Sequence, residues 1–214
     1  ADRAELLVPD QLGLVDRPGV VVQPSSDLEI CHHRTRKAPP GFAHDGSEFG
    51  KALLEQAIAG GRDYRFETTL GGRSIAQLLE KAARAGHRLH IWFCGLASAD
   101  LHIRRVHNRV AHGGHDIPEE KIRERWNRSR ENLIRLLPLI EHLRVFDNSA
   151  ESDPAEGRRP RPVLLLEMKC GKITAPADLS GAPDWAQPII AAAIHLHTAD
   201  LPVAEEILKT RQAG

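Results

Sequence analysis

Apolar positions along the chain follow two alternating periods. Val20-Val21-Val22-Gln23 is a short β-branched run ended by Pro24-Ser25-Ser26-Asp27, which predicts a strand. Tyr64 to Thr68 predicts a second. In His87 to Phe93, Leu89, Ile91 and Phe93 fall on one side and Trp92 on the other, the signature of a third strand. Leu143 to Asp147 predicts a fourth, and Pro162 to Met168 with Lys172 to Thr174 predicts a hairpin turned at Cys170-Gly171. Between these runs the period lengthens to that of a helix. Glu48 to Ala59 follows Ser47 as N-cap and stops at Gly60-Gly61. Ser74 to Ala85 places Ile75, Leu78, Leu79 and Ala82 together, with Gly86 as its stop. Ala99 to Ala111 predicts a basic helix, broken by Gly113-Gly114. Pro118 opens the next, with Glu119 and Glu120 near its positive end. That helix is expected to reach His142, with a break near Asn127. Pro183 to His197 and Ala204 to Gln212 predict closing helices. Strands alternating with helices of this length predict an α/β protein with a mostly parallel sheet flanked by helices.

Composition narrows the picture. A chain of 214 residues fits one domain, large enough to bury roughly 70% of its unfolded surface. Its 29 basic and 29 acidic side chains cancel, which argues against bulk electrostatic binding to nucleic acid or anionic membrane. A local anion site stays open, because the arginines cluster. No apolar run approaches the roughly 18 residues of a membrane span, and no signal-like segment opens the chain. Cys31, Cys94 and Cys170 are odd in number and far apart, which fits a reducing compartment; a cytoplasmic location is expected. Cys94 follows an apolar run and reads as a buried thiol.

The candidate chemistry lies in two stretches. Phe66-Glu67-Thr68-Thr69-Leu70 puts a carboxylate and two hydroxyls where a strand gives way to a loop, and open α/β sheets bind ligands at that edge. Gly113-Gly114-His115-Asp116-Ile117-Pro118 lies inside the arginine-dense segment Arg104 to Arg135. Hydroxyls and a carboxylate facing arginines suit phosphoryl transfer to a hydroxyl acceptor. The phosphate loop G-x-x-x-x-G-K-[ST] occurs nowhere. Gly46-Ser47-Glu48-Phe49-Gly50-Lys51-Ala52 imitates it, but is one residue short and lacks the hydroxyl. Cys31-His32-His33, His112 with His115, and His195 with His197 lack the spacing of zinc sites, so no metal site is expected.

Taken with Ile122-Arg123-Glu124-Arg125-Trp126-Asn127-Arg128-Ser129 and Asp147-Asn148-Ser149, these stretches resemble, in order and spacing, the zeta-toxin-like P-loop kinases. The closest likeness is to the branch called predicted ABC-type ATPases. Ile173 to Leu179 and Pro183 to Ile189 resemble that branch too, and the likeness spans roughly residues 62–195. Zeta toxins phosphorylate the sugar 3′-hydroxyl of UDP-N-acetylglucosamine with ATP and are the toxic half of toxin–antitoxin pairs. The resemblance implies a P-loop kinase-like sheet, ATP and Mg²⁺, a nucleotide-sugar substrate and an antitoxin partner, with no nucleic acid and no membrane. It implies a kinase domain over 1–150, with a helical lid over about 104–135. A C-terminal hairpin and helical extension over 151–214 would pack on the same domain. Ala4 to Pro9 resembles the helix just after the phosphate loop, so the chain would begin immediately past its Walker A lysine.

The resemblance also assigns roles. Asp27 matches the family's presumed base for the acceptor hydroxyl. Glu67 would hold the acceptor or help position Mg²⁺, and Thr68 and Thr69 would hydrogen-bond phosphate or sugar. Arg109, Arg125 and Arg128 would be lid arginines that neutralise the transferred phosphoryl group. Each has a plainer alternative. Asp27 suits an Asx turn after Pro24, the hydroxyls suit an exposed loop, and the arginines suit a solvated helix paired with Glu119, Glu120, Glu124 and Glu131. A second function fits as well: a catalytically inactive relative that binds a nucleotide sugar or an antitoxin.

Overall fold

The computed structural model describes residues 19–24, 46–150 and 162–199. Asp27, the stretch from Cys31 to His44, the charged linker Glu151 to Arg161 and the Ala204 to Gln212 helix lie outside the described residues.

The chain runs β1 (Gly19–Pro24), α1 (Gly46–Ala59), β2 (Tyr64–Thr68), α2 (Arg73–Arg84), β3 (Arg88–Gly95), α3 (Ala99–Ala111) and α4 (Glu119–Leu136). A single 3₁₀ turn, Leu137–Leu139, leads into β4 (Ile140–Asp147), followed by β5 (Val163–Lys169), β6 (Lys172–Ala175) and α5 (Gln187–Ala199). The six strands form one sheet in the order β2-β1-β3-β4-β5-β6. The first four strands are mutually parallel. The last two join antiparallel. The sheet is therefore mixed, and only partly parallel. A two-residue turn can return a strand only antiparallel, whereas parallel neighbours need a crossover. Cys170 and Gly171 supply that turn, both with positive φ (47° and 76°). β1 is paired on both sides, to β2 and to β3, so the described ladder has no gap at its centre.

The helix expected to reach His142 stops at Leu136. Pro138 has no N–H to extend the ladder, and its ring excludes the preceding turn; one 3₁₀ turn follows and β4 starts at Ile140. No break occurs at Asn127. α2 ends as expected, with Gly86 at φ 90° and the His87 amide returning to the Ala82 carbonyl at 3.0 Å. Ser98 caps α3, its Oγ accepting from the Leu101 amide at 3.1 Å.

One face of the sheet carries the main core. Leu89, Ile91 and Phe93 of β3 meet Leu143 and Val145 of β4 and Leu166 and Met168 of β5. Leu54 and Ile58 of α1, Leu79 of α2, Leu133 and Leu136 of α4, and Ile189 and Ile190 of α5 close over them. The far ends of α3 and α4 hold a separate small cluster of Ile103, Val106 and Ile122, with Val110 and Ile117 beside it. α4 is thus fixed to α3 by Ile122 near its N-terminal end and to the body by Leu133 and Leu136 near its C-terminal end.

Candidate functional site

The carboxyl ends of β2 and β3 open under α4. Thr68, Thr69 and Leu70 leave β2 on one side of a pocket, and Phe93 to Leu96 leave β3 at its floor. Arg125, Trp126, Ser129 and Arg130 reach it from α4, His102 from α3, and Trp185 from the turn before α5. The α4 residues are spaced by four, Arg125 with Ser129 and Trp126 with Arg130, which stacks each pair on one side of the helix. The pocket is partly open, with a volume of about 70 Å³. Sites that swallow a whole drug-sized ligand measure roughly 300–1,000 Å³. A group the size of a phosphoryl fits here, and a whole nucleotide sugar does not.

Two tryptophans set the walls. The Trp126 indole N–H donates to the Leu96 carbonyl at 3.1 Å, and the Arg130 guanidinium lies 3.4 Å from the centre of its ring. Such a cation–π contact adds about 0.5–2 kcal/mol. Burial draws the Arg130 pKa below its ordinary value. Trp185 stacks on Gly95, where a Cβ would lie 2.1 Å from the ring. Its N–H donates to Asp147 Oδ1 at 3.2 Å, and the Ser149 hydroxyl donates to the same oxygen. The Ala97 amide then donates to Ser149 Oγ at 2.7 Å, and the Asn148 amide to the Gly95 carbonyl at 2.9 Å. Asp147-Asn148-Ser149 thereby locks the end of β4 to the end of β3. Cys94 lies in the pocket lining, and burial pushes its thiol up to about 12, so it is no nucleophile at neutral pH.

The predicted residues separate. Thr68, Thr69 and Arg125 come together in the pocket. Thr68 Oγ1 accepts from the Leu70 amide at 3.1 Å and Thr69 Oγ1 from the Gly71 amide at 3.4 Å. Each hydroxyl keeps its own proton to donate. Glu67 is exposed and is not part of the pocket lining. Arg128 pairs with Glu124 at 2.7 Å on the exposed side of α4. Arg109 sits at the tip of the α3–α4 hairpin, donating to the His115 carbonyl at 3.4 Å. Gly114 closes tightly on it: its amide meets the Arg109 carbonyl at 2.9 Å, and a Cβ would lie 2.5 Å from Arg109 Cγ. Gly113, at φ 85°, makes that reversal. Trp92 is half-buried, and Trp185 is 4% exposed.

Sequence reading missed His102, Trp126, Ser129 and Arg130 as site residues. The four-residue spacing of Arg130 from Trp126, repeating that of Ser129 from Arg125, was the available signal.

Cofactor fit is partial. Among the described residues no group of three or more His, Cys, Asp or Glu could hold a metal ion. Mg²⁺ held chiefly by substrate phosphates needs only one or two carboxylates. Gly46 to Lys51 lies in α1 and so is no phosphate loop. Among the described residues the pocket lining holds no carboxylate.

No family model matches the chain, and no solved structure matches it. It is similar to an uncharacterized protein of Haemophilus influenzae, 32% identical over 74 residues, which are 35% of this chain and 53% of the relative. The chain thus spans about half the length of that curated relative. No helix among the described residues is long and apolar enough to cross a membrane.

Proposed function

We propose that this protein is a zeta-toxin-like phosphotransferase of P-loop kinase-like fold. It would act in the cytoplasm on a hydroxyl of a nucleotide sugar, UDP-N-acetylglucosamine being the first to test, as the toxic partner of an antitoxin. One observation carries the reading: Arg125, Thr68 and Thr69 line one phosphoryl-sized pocket at the carboxyl edge of the parallel strands. In that pocket the Arg125 guanidinium neutralises charge on the phosphoryl group, and its planar fork suits phosphate oxygens. The hydroxyls orient the group by donating to it. Trp126 holds Arg130 over its ring and so adds a second positive charge at a fixed place. ATP with Mg²⁺ would supply the phosphoryl group, and sugar and base would extend beyond the pocket.

Mass spectrometry of UDP-N-acetylglucosamine incubated with the protein, ATP and Mg²⁺ tests this. A phosphorylated sugar is expected, with the rate lowered about 10³-fold in Arg125→Ala, as for other charge-stabilising arginines. A product that forms equally fast in that variant would overturn the assigned site. The second reading, a relative that binds the nucleotide sugar without turnover, is favoured by the pocket lining, which among the described residues holds no carboxylate to serve as base. Binding of UDP-N-acetylglucosamine with no phosphorylated product selects it.

A further inference from the structure

The loop that carries the two hydroxyls is held by a residue outside the pocket lining. Asn132 of α4 is 9% exposed, beside the core residues Leu133 and Leu136. Its Nδ2 donates to the Leu70 carbonyl at 2.7 Å and to the Gly72 carbonyl at 3.4 Å. Both partners are acceptors, so the amide nitrogen must face them. The residue it grips is an unusual one. Leu70 is 2% exposed and has φ 52°, the left-handed region that a residue with a branched side chain avoids unless its surroundings impose it.

The rest of the loop is tied in the same way. Thr68 Oγ1 accepts from the Leu70 amide, and Thr69 Oγ1 from the Gly71 amide. The hydroxyls of these two pocket-lining threonines therefore keep their positions only while Leu70 and Gly71 keep theirs. Gly71 lies directly on α4, where a Cβ would be 2.8 Å from Arg125 Cγ and 3.1 Å from Arg125 Cα. One carboxamide and one glycine contact thus join the loop of Thr68 and Thr69 to the helix that carries Arg125.

We infer that Asn132 is a positioning residue: it holds residues 68–72 in the left-handed turn that sets Thr68 and Thr69 opposite Arg125. Its kinetic consequence rests on the phosphotransferase reading; its conformational consequence rests on the geometry alone. Asn132→Leu keeps the volume and removes the donor. Asn132→Asp keeps the shape but turns a carboxylate toward two carbonyl oxygens; protonation restores one donor.

The experiment compares the full chain with both variants. Amide hydrogen exchange at Leu70 and Gly71 is followed by NMR, and KM and kcat for UDP-N-acetylglucosamine are measured with ATP and Mg²⁺ from acid to neutral pH. Asn132→Leu should raise KM about tenfold, the scale of one buried carbonyl left unsatisfied, with a smaller change in kcat. Exchange at Leu70 and Gly71 should accelerate while β3 and β4 amides stay protected. Asn132→Asp should approach the wild-type KM as its carboxyl protonates, relative to the wild type at each pH. Should Asn132→Leu fail to fold, this acid rescue is the deciding comparison.

A loss of stability with KM unchanged would make Asn132 merely structural and overturn the proposal, as would unchanged exchange at Leu70 and Gly71. A wild type without turnover would sink the phosphotransferase reading alone. Exchange and the affinity for inorganic phosphate, titrated by NMR, then decide the role of Asn132. Phosphate affinity unchanged in Asn132→Asp at neutral pH would end it.

Discussion

The two faces of β3 and β4 are made by the same residues in alternation, yet they are held by opposite chemistry. One face presents Leu89, Ile91, Phe93, Leu143 and Val145, each at most 8% exposed and packed under four helices. The other presents Arg88, His90, His142 and Arg144, joined from β5 by Glu167. His142 Nε2 lies 2.7 Å and Arg144 Nε 3.0 Å from the same Glu167 oxygen. His90 pairs with His142 across the strands, their rings edge to face at 6.1 Å. A bulge between Leu89 and His90 in this pairing puts Glu141 out of step, and its carboxylate lies 3.4 Å from Arg88 and 4.0 Å from His90. The apolar face needs only area removed from water. The polar face needs partners, and among the described residues it does not supply them all: Arg88 Nε and Nη2 and both His90 ring nitrogens are buried without a hydrogen-bond partner there.

Three substitutions sharpen the contrast. The largest effect is expected on the apolar face. Leu143→Ala removes a side chain 1% exposed and should cost about 2–5 kcal/mol in urea denaturation. A loss below about 1 kcal/mol would mean that the helices repack over the gap.

Glu167→Gln should cost less, about 1–3 kcal/mol at neutral pH, because it removes the negative charge from the acceptor that His142 and the half-buried Arg144 share. Burial raises the Glu167 pKa, but hydrogen bonds from His142 and Arg144 outweigh it and hold the carboxyl below its ordinary value. Its contribution is therefore complete above the unfolded carboxylate range and fades as pH falls through the folded value. The gap between wild type and variant should close in acid; a gap that is constant with pH contradicts this pairing.

His90→Leu should have the smallest effect at pH 7, since the neutral ring satisfies neither nitrogen. Its signature is a slope. Burial first, then the charges of His142 and Arg88, lower the His90 pKa to about 4, although Asp63 pulls the other way. Between the ordinary value and that one, the unfolded chain binds a proton that the folded chain refuses. Stability then falls with pH by up to about 1.4 kcal/mol per unit. Denaturation curves from pH 7 to 4.5 should show the variant losing less than the wild type. Parallel losses would place a cation-stabilising group beside His90.

The same contrast explains what could be read from the sequence. Leu89, Ile91 and Phe93 announce β3 because burial on one face imposes period two. The turn at Cys170-Gly171 was legible because its geometry is local. The end of α4 was not, because Leu136, Leu137 and Ile140 continue the helical pattern across Pro138 and only the missing N–H stops it. Thr68, Thr69 and Arg125 stood out as hydroxyls at a strand end and arginines on a helix. Asn132 did not, since its partner carbonyls lie 62 and 60 residues earlier and are selected by packing. The His90–His142 contact was hidden for the same reason: it exists only once β3 and β4 are in register.

The crossover between β3 and β4 also dictates an order of assembly. Ala97 and Ser149, which meet at the end of these strands, are 52 residues apart in the chain. The β5–β6 hairpin needs only its two-residue turn and can close within roughly 1–10 μs. The α3–α4 hairpin must shorten the long loop before Gly95 can find Asp147, since loop-closure entropy opposes that pairing until then. The pocket, roofed by α4 and floored by the end of β3, is thus expected to form after both hairpins.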